Sequence, residues 1–167
     1  NDFEIIALVH DVRLFAEIED ARLTYMAFPA AKRSWLHRCY HEYVLFHRLS
    51  KKLCPALWVS MHDTTPWVEA DRQVVYCHNP APFYKLQARE IFDDWKFTLF
   101  VYFYRYLYRI NLHRNCYVIV QQDWMRQAFR HLFGLSCVVV ARPQLAAQPV
   151  TPSSPTKKGM FFFPVTV

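Results

Sequence analysis

Apolar residues in this chain gather in short unbroken runs, each closed by polar residues or proline. Residues 3–9 (FEIIALV), 22–28 (RLTYMAF), 56–61 (ALWVSM), 74–77 (VVYC), 116–120 (CYVIV) and 136–141 (SCVVVA) follow this pattern. Continuous apolar runs of this length, rich in β-branched and aromatic residues, predict strands buried on both faces of a parallel sheet. Between them the apolar spacing changes to that of helices. Ser34 predicts an N-cap for a helix over 35–52, with Lys51 and Lys52 at its negative end and Pro55 stopping it. Asp93 or Asp94 predicts the start of a helix over 95–112, crowded with aromatics on nearly every side. Asp123 predicts an N-cap for a helix over 124–133, closed by Gly134. Residues 83–90 carry neither a helical nor a strand pattern that decides between the two. Strands alternating with helices indicate an α/β fold: a doubly wound, mostly parallel Rossmann-like sheet with helices on both faces.

The chemistry collects where two of these strands end. The run 74–77 meets His78, Asn79, Pro80 and Pro82, and prolines cannot continue a buried ladder. The run 56–61 repeats this with His62, Asp63, Thr64, Thr65 and Pro66. In open α/β sheets, ligands bind beyond the carboxyl ends of strands. A neutral imidazole both donates and accepts, so His62 and His78 suit sugar hydroxyls and phosphates. Asp63 either orients a ligand hydroxyl or caps its own loop. Gln122 and Asp123 lie beyond another strand end and could border the same cleft. For each of these residues the competing reading is local loop hydrogen bonding. Residues 67–71 are too short to hold a crossover helix. Either an extended segment joins the two histidine-bearing strands, or they are not neighbours.

Composition narrows the classes. The chain has 167 residues, the length of one domain, and 20% of them are charged, as in a globular protein. The net charge of +6 favours anionic partners, a phosphate or an anionic membrane surface, but it is not clustered densely enough to indicate nucleic acid. Five cysteines without C-x-x-C spacing argue against a disulfide framework or a structural zinc site, and fit a reducing cytoplasmic setting. His37 and His41 share a helix face without a further ligand nearby, so a solvated face is preferred and no metal is expected. Lys32, Arg33, Arg38, Arg48, Lys51 and Lys52 make the first helix basic, through solvation or through contact with lipid headgroups or a diphosphate. Arg105 and Arg109 share a face of the aromatic helix. That helix is either packed on the sheet or interfacial, with Tyr, Trp and Arg at headgroup level. Only two glycines, Gly134 and Gly159, are present, so no glycine-rich phosphate loop exists, and there is no G-x-S-x-G elbow. Residues 144–159 have linker composition and 160–164 (MFFFP) predict a strand beyond it. The expected organisation is a domain over 1–143, a linker over 144–159 and the first strand of a second domain over 160–167, with both ends of the protein cut.

The order of these motifs resembles bacterial glycosyltransferases of family 4. The HDTTP loop after ALWVSM, the YCHNPAPFY loop, the VIVQQDWMRQAF turn, the VVVARP strand, the linker and MFFFP together carry the likeness. It spans nearly the whole chain and corresponds to the amino-terminal, acceptor-side half of that family's GT-B fold. The resemblance implies a retaining, metal-independent hexosyltransferase that needs no cofactor. The substrates would be a nucleotide-sugar donor and a glycan or polyprenyl-diphosphate-linked acceptor, in lipopolysaccharide, capsule or exopolysaccharide assembly. By resemblance His78 is the catalytic-site histidine that approaches the transferred sugar or the acceptor. His62 and the Gln122 turn match the family's acceptor side; Asp63 and Asn79, read from their strand-end loops, are expected to join them in acceptor or sugar binding, and Arg105 and Arg109, on the aromatic helix, in membrane or acceptor-phosphate contact. The implied location is cytoplasmic, either free or peripheral on the inner face of the cell membrane. The family's first strand with its glycine-rich loop and its donor-binding domain have no counterpart, so this chain alone is expected to be inactive. Two other classes compete: a GT-B sugar-nucleotide epimerase, and a non-catalytic module that docks on a membrane or a partner.

Overall fold

A computed structural model describes residues 3–18, 20–84, 86 and 94–142. The expected linker and the MFFFP strand lie outside the described residues. The six strands predicted before the linker are all present: β1 (Ile5–Val9), β2 (Leu23–Ala27), β3 (Leu57–Ser60), β4 (Arg72–Cys77), β5 (Tyr117–Val120) and β6 (Val138–Val140). All their pairings are parallel. The architecture is therefore α/β, built on parallel strands.

The strands form two sheets rather than one. β1 pairs with β2, and the other four run in the order β3-β4-β5-β6. In the larger sheet Ser60 pairs with Val75, Cys77 with Val120, and Val120 with Val140. This register brings the ends of β4, β5 and β6 level. His78 and Gln121 follow the ends of β4 and β5 directly, and His62 lies two residues past the end of β3 on the same edge. β3 and β4 are neighbours, and an extended stretch of residues 61–71 with no helix joins them. The extended connection thus holds, and it is what sets the two histidine loops side by side.

The main core lies on one face of this sheet. Val75, Cys77, Val118, Val120 and Val138 meet Tyr108, Leu112, Met125, Phe129 and Phe133 from the helices. The alternation of strand side chains puts Val75 and Cys77 on this face together. Phe83 wedges the loop after β4 into the same core, with its ring 4.9 Å from that of Phe129.

The helices differ from the sequence expectation in their breaks. Ser34 does cap α1 (Trp35–Tyr40), accepting from the His37 amide at 3.3 Å. The predicted single helix then passes through a π-helical turn, His41–Leu45, before α2 (Phe46–Leu53). Cys54, in the left-handed region at φ 44°, ends it one residue before Pro55. Asp94 caps α3 (Trp95–Arg109), accepting from the Phe97 amide at 2.9 Å. α3 ends three residues earlier than the aromatic pattern suggests, and Asn111 turns the chain at φ 57°. α4 (Asp123–Phe133) starts with Asp123 inside it and Gln122 at the cap, because the Asp123 carboxylate pairs with Arg126 and Arg142. Gly134 closes α4 at φ 67°, a conformation that costs glycine nothing.

Candidate functional site

The carboxyl ends of β3 and β4 open into a hollow of about 410 Å³ lined by Arg38, His62, Asp63, His78, Asn79, Pro80 and Tyr104. His62 and His78 thus share one cavity, as the repeated strand-end pattern suggested.

Asp63 holds the site together. It is buried, and its backbone is in the left-handed region at φ 63°, which an aspartate tolerates better than most residues. One carboxylate oxygen, Oδ1, accepts the His78 amide at 2.6 Å, the Asn79 amide at 3.0 Å and the Tyr108 hydroxyl at 2.9 Å. The two amides belong to residues just past β4, where the ladder has ended. A charged acceptor is the strongest way to satisfy them. The Asp63 amide donates in turn to the Tyr76 carbonyl at 3.2 Å, which ties the 61–66 loop to β4. Of the two sequence readings for Asp63, capping is the one its hydrogen bonds display.

The same oxygen lies 3.3 Å from His78 Nδ1. The imidazole thus lies beside the carboxylate with its Nδ1 edge toward Asp63. The His78 side chain is half-exposed, and its ring stacks on Tyr76 at 6.1 Å between centroids. Asn79 caps the turn after β4, its Oδ1 accepting from the Ala81 amide at 3.0 Å. Its Nδ2 makes no hydrogen bond among the described residues. His62 is an exposed residue at the hollow's rim. Its pKa is lowered, first by desolvation of the ring and then by the Arg38 guanidinium. The imidazole is thereby held neutral near neutral pH.

Arg38 is the residue that sequence reasoning missed. It lies in the cavity wall instead of on a solvated basic face. Its Nε donates to Glu42 Oε1 at 2.7 Å and its Nη2 to the His62 carbonyl at 3.0 Å. Glu42 is buried and also accepts from the Thr64 hydroxyl at 2.7 Å. The guanidinium is thus neutralised inside the protein while it steadies the His62 loop. The i,i+4 spacing of Arg38 and Glu42 was the available signal. Tyr104 was hidden among the other aromatics of α3.

The remaining expected site residues lie elsewhere. Gln122 lines a second hollow of about 490 Å³ with Gln121, Asp123, Trp124 and Arg142, not the histidine cavity. The two are linked through Gln121, whose Nε2 donates to the Tyr76 hydroxyl at 2.6 Å behind His78. Trp124 Nε1 donates to Gln122 Oε1. Arg105 is half-buried and donates to the Pro82 carbonyl at 3.0 Å, while Arg109 is exposed at the end of α3. His37 Nδ1 meets Ser34 Oγ at 2.8 Å and buried His41 Nδ1 meets the His37 carbonyl at 2.6 Å. Each ring is engaged within its own helix. Among the described residues no three His, Cys, Asp or Glu side chains converge as metal ligands.

No family model, no curated protein and no solved structure matches this chain.

Proposed function

We propose that the chain is the acceptor-side, Rossmann-like lobe of a retaining glycosyltransferase, in which the full-length protein moves a sugar from a nucleotide-sugar to a glycan or lipid-linked acceptor. The observation that carries this reading is the imidazole of His78, fixed by Asp63 and sharing one hollow with His62 and Asn79 at the strand ends. Parallel strand ends are where α/β proteins bind ligands. The charges of this hollow are matched internally, Arg38 by Glu42 and Asp63 by its three donors. Such a wall favours a neutral, hydroxyl-rich group over a free anion. His78 Nε2 meets a sugar hydroxyl, neutral His62 donates or accepts, and the Asn79 amide donates. The acceptor's sugar, rather than its diphosphate, is the part this hollow fits.

The test uses the full-length protein and a panel of nucleotide-sugars. His78→Ala is expected to lower transfer about a hundredfold, the usual effect of removing one polar group aimed at the reacting sugar. Its thermal midpoint should stay within a few degrees of the parent's, because the ring is half-exposed. Unchanged transfer, or a loss of activity matched by a loss of folded protein, would overturn the assignment. Steady turnover by residues 1–167 alone would overturn the view that a second lobe is required.

A further inference from the structure

The second hollow, of about 490 Å³, differs in chemistry from the histidine cavity. Three elements build it. Gln121 and Gln122 follow β5, Asp123 and Trp124 open α4, and Arg142 lies just past β6. β4, β5 and β6 are neighbours, so this hollow lies further along the edge that carries His78. The transfer reading above uses none of these five side chains.

Their hydrogen bonds show which groups stay open to a ligand. Asp123 is fully engaged. Its Oδ1 accepts from Arg126 Nη2 at 2.6 Å and its Oδ2 from Arg142 Nη2 at 3.0 Å. Two guanidinium groups thus meet one carboxylate, which leaves the wall one positive charge in excess. The Arg142 side chain is 72% exposed, and among the described residues it makes no other hydrogen bond. Gln122 accepts from Trp124 Nε1 through its carbonyl oxygen, so its amide nitrogen remains a donor. Gln121 is the reverse: Nε2 donates to the Tyr76 hydroxyl, and Oε1 remains an acceptor. Beside them stands the Trp124 indole, 45% exposed and braced edge-on against Phe83 at 6.2 Å between centroids. A rigid aromatic face with a few polar groups around it is the make-up of a small-molecule site.

We infer that this second hollow binds a sugar ring that carries an acidic group, a uronate. The apolar C–H face of the pyranose lies on the indole, its carboxylate meets Arg142 and the Gln122 amide, and a ring hydroxyl donates to Gln121 Oε1. The guanidinium fork matches a carboxylate in shape as well as in charge. A neutral sugar would leave the surplus charge to water, and a bare anion would leave the indole uncovered. The histidine cavity, whose charges are matched internally, selects the opposite kind of ring. The inference stands without the transferase reading. Under that reading it makes the acceptor an acidic saccharide of two or more units, with a neutral sugar at His78 and the uronate at Trp124. Tyr76 then joins the two sites, since His78 stacks on its ring and Gln121 binds its hydroxyl.

Saturation-transfer NMR on the whole chain tests this, with glucuronate and glucose as probes and inorganic phosphate as competitor. Glucuronate should bind, and glucose about tenfold more weakly, the contribution of one charge-assisted hydrogen bond. Arg142→Gln should bring glucuronate down to the level of glucose. Its urea midpoint should match the parent's, because the ion pair it breaks is exposed. Trp124→Ala should abolish the signal of both sugars. Trp124→Phe, which keeps a ring against Phe83, should weaken both without unfolding the chain. Equimolar phosphate should leave most of the glucuronate bound. Equal binding of the two sugars, no binding of either, full binding by Arg142→Gln or Trp124→Ala, or complete displacement by equimolar phosphate overturns the inference. Turnover is not read, so failure of the transferase assignment leaves this result untouched.

Discussion

Replacing Asp63 by Asn should destabilise the protein far more than its position in a loop suggests. The substitution keeps the size and the tolerance for φ 63°, and removes only the charge. Oδ1 accepts from two backbone amides and the Tyr108 hydroxyl. Hydrogen bonds to a charged group contribute about 1.5–3 kcal/mol, against about 0.5–1.5 for neutral pairs. Losing about 1 kcal/mol at each of three donors gives about 3 kcal/mol. No described residue donates to Oδ2, so the new amide nitrogen displaces no hydrogen bond. Asp63→Ala goes further. It strands three donors, two of them next to the buried end of β4, and leaves the left-handed conformation without the polar side chain that makes it tolerable. Its cost should reach about 5 kcal/mol, comparable to the whole stability of a small domain.

Urea unfolding followed by tryptophan fluorescence reads this directly. With a slope of about 2 kcal/mol per molar, Asp63→Asn should lower the midpoint by about 1.5 M. Tyr108→Phe removes one donor and should cost less than Asp63→Asn. Combined with Asp63→Asn it should cost less than the sum, because both changes act on one bond. If Asp63→Asn costs under about 1 kcal/mol, or if Asn and Ala cost the same, the carboxylate is not the anchor and the reasoning fails.

Two further outcomes follow from single residues. The folded pKa of His62 is depressed, so the unfolded chain takes up this proton first. The stability tied to His62 is complete above the unfolded value of about 6.5 and is lost as pH falls through the folded one. Urea midpoints should therefore decline on acidification from about pH 7 to pH 5, and less steeply in His62→Gln. An NMR titration placing the His62 midpoint at or above that of a free imidazole would contradict this. Gly134→Ala should cost about 1–2 kcal/mol in the same urea assay. A Cβ there would meet nothing within 4 Å, so the cost is conformational alone, and a loss above about 3 kcal/mol would reveal a packing role not seen at this position.

Much of this fold is written locally. The runs around Val75 and Val118 are apolar enough to be strands whatever surrounds them, and Ser34, Asp94 and Gly134 mark helix ends through bonds to their own neighbours. What is not local was not legible. The separation of β1 and β2 from the larger sheet depends on pairing between strands, and the π turn at His41–Leu45 on how one helix meets the 62–67 loop. Arg38 has the spacing of a surface ion pair, and only the packing of Glu42 against Thr64 turns it inward. The partners of Asp63 are farther still, since Tyr108 is 45 residues away along the chain.

The geometry of the strand ends explains why this hidden residue is also the central one. A parallel sheet stops pairing where its strands stop, and the same gap that opens a cavity leaves the next amides without acceptors. Pro82 is buried and the wedge of Phe83 pins the loop onto the core. The buried Asp63 carboxylate supplies the missing acceptor at the end of β4, and it also lies beside the nearest imidazole, that of His78. Fold stability and the aim of the candidate site histidine thus rest on one carboxylate oxygen. A variant that keeps the charge at Asp63 but moves it, such as Asp63→Glu, should disturb both, whereas His78→Ala should disturb function alone.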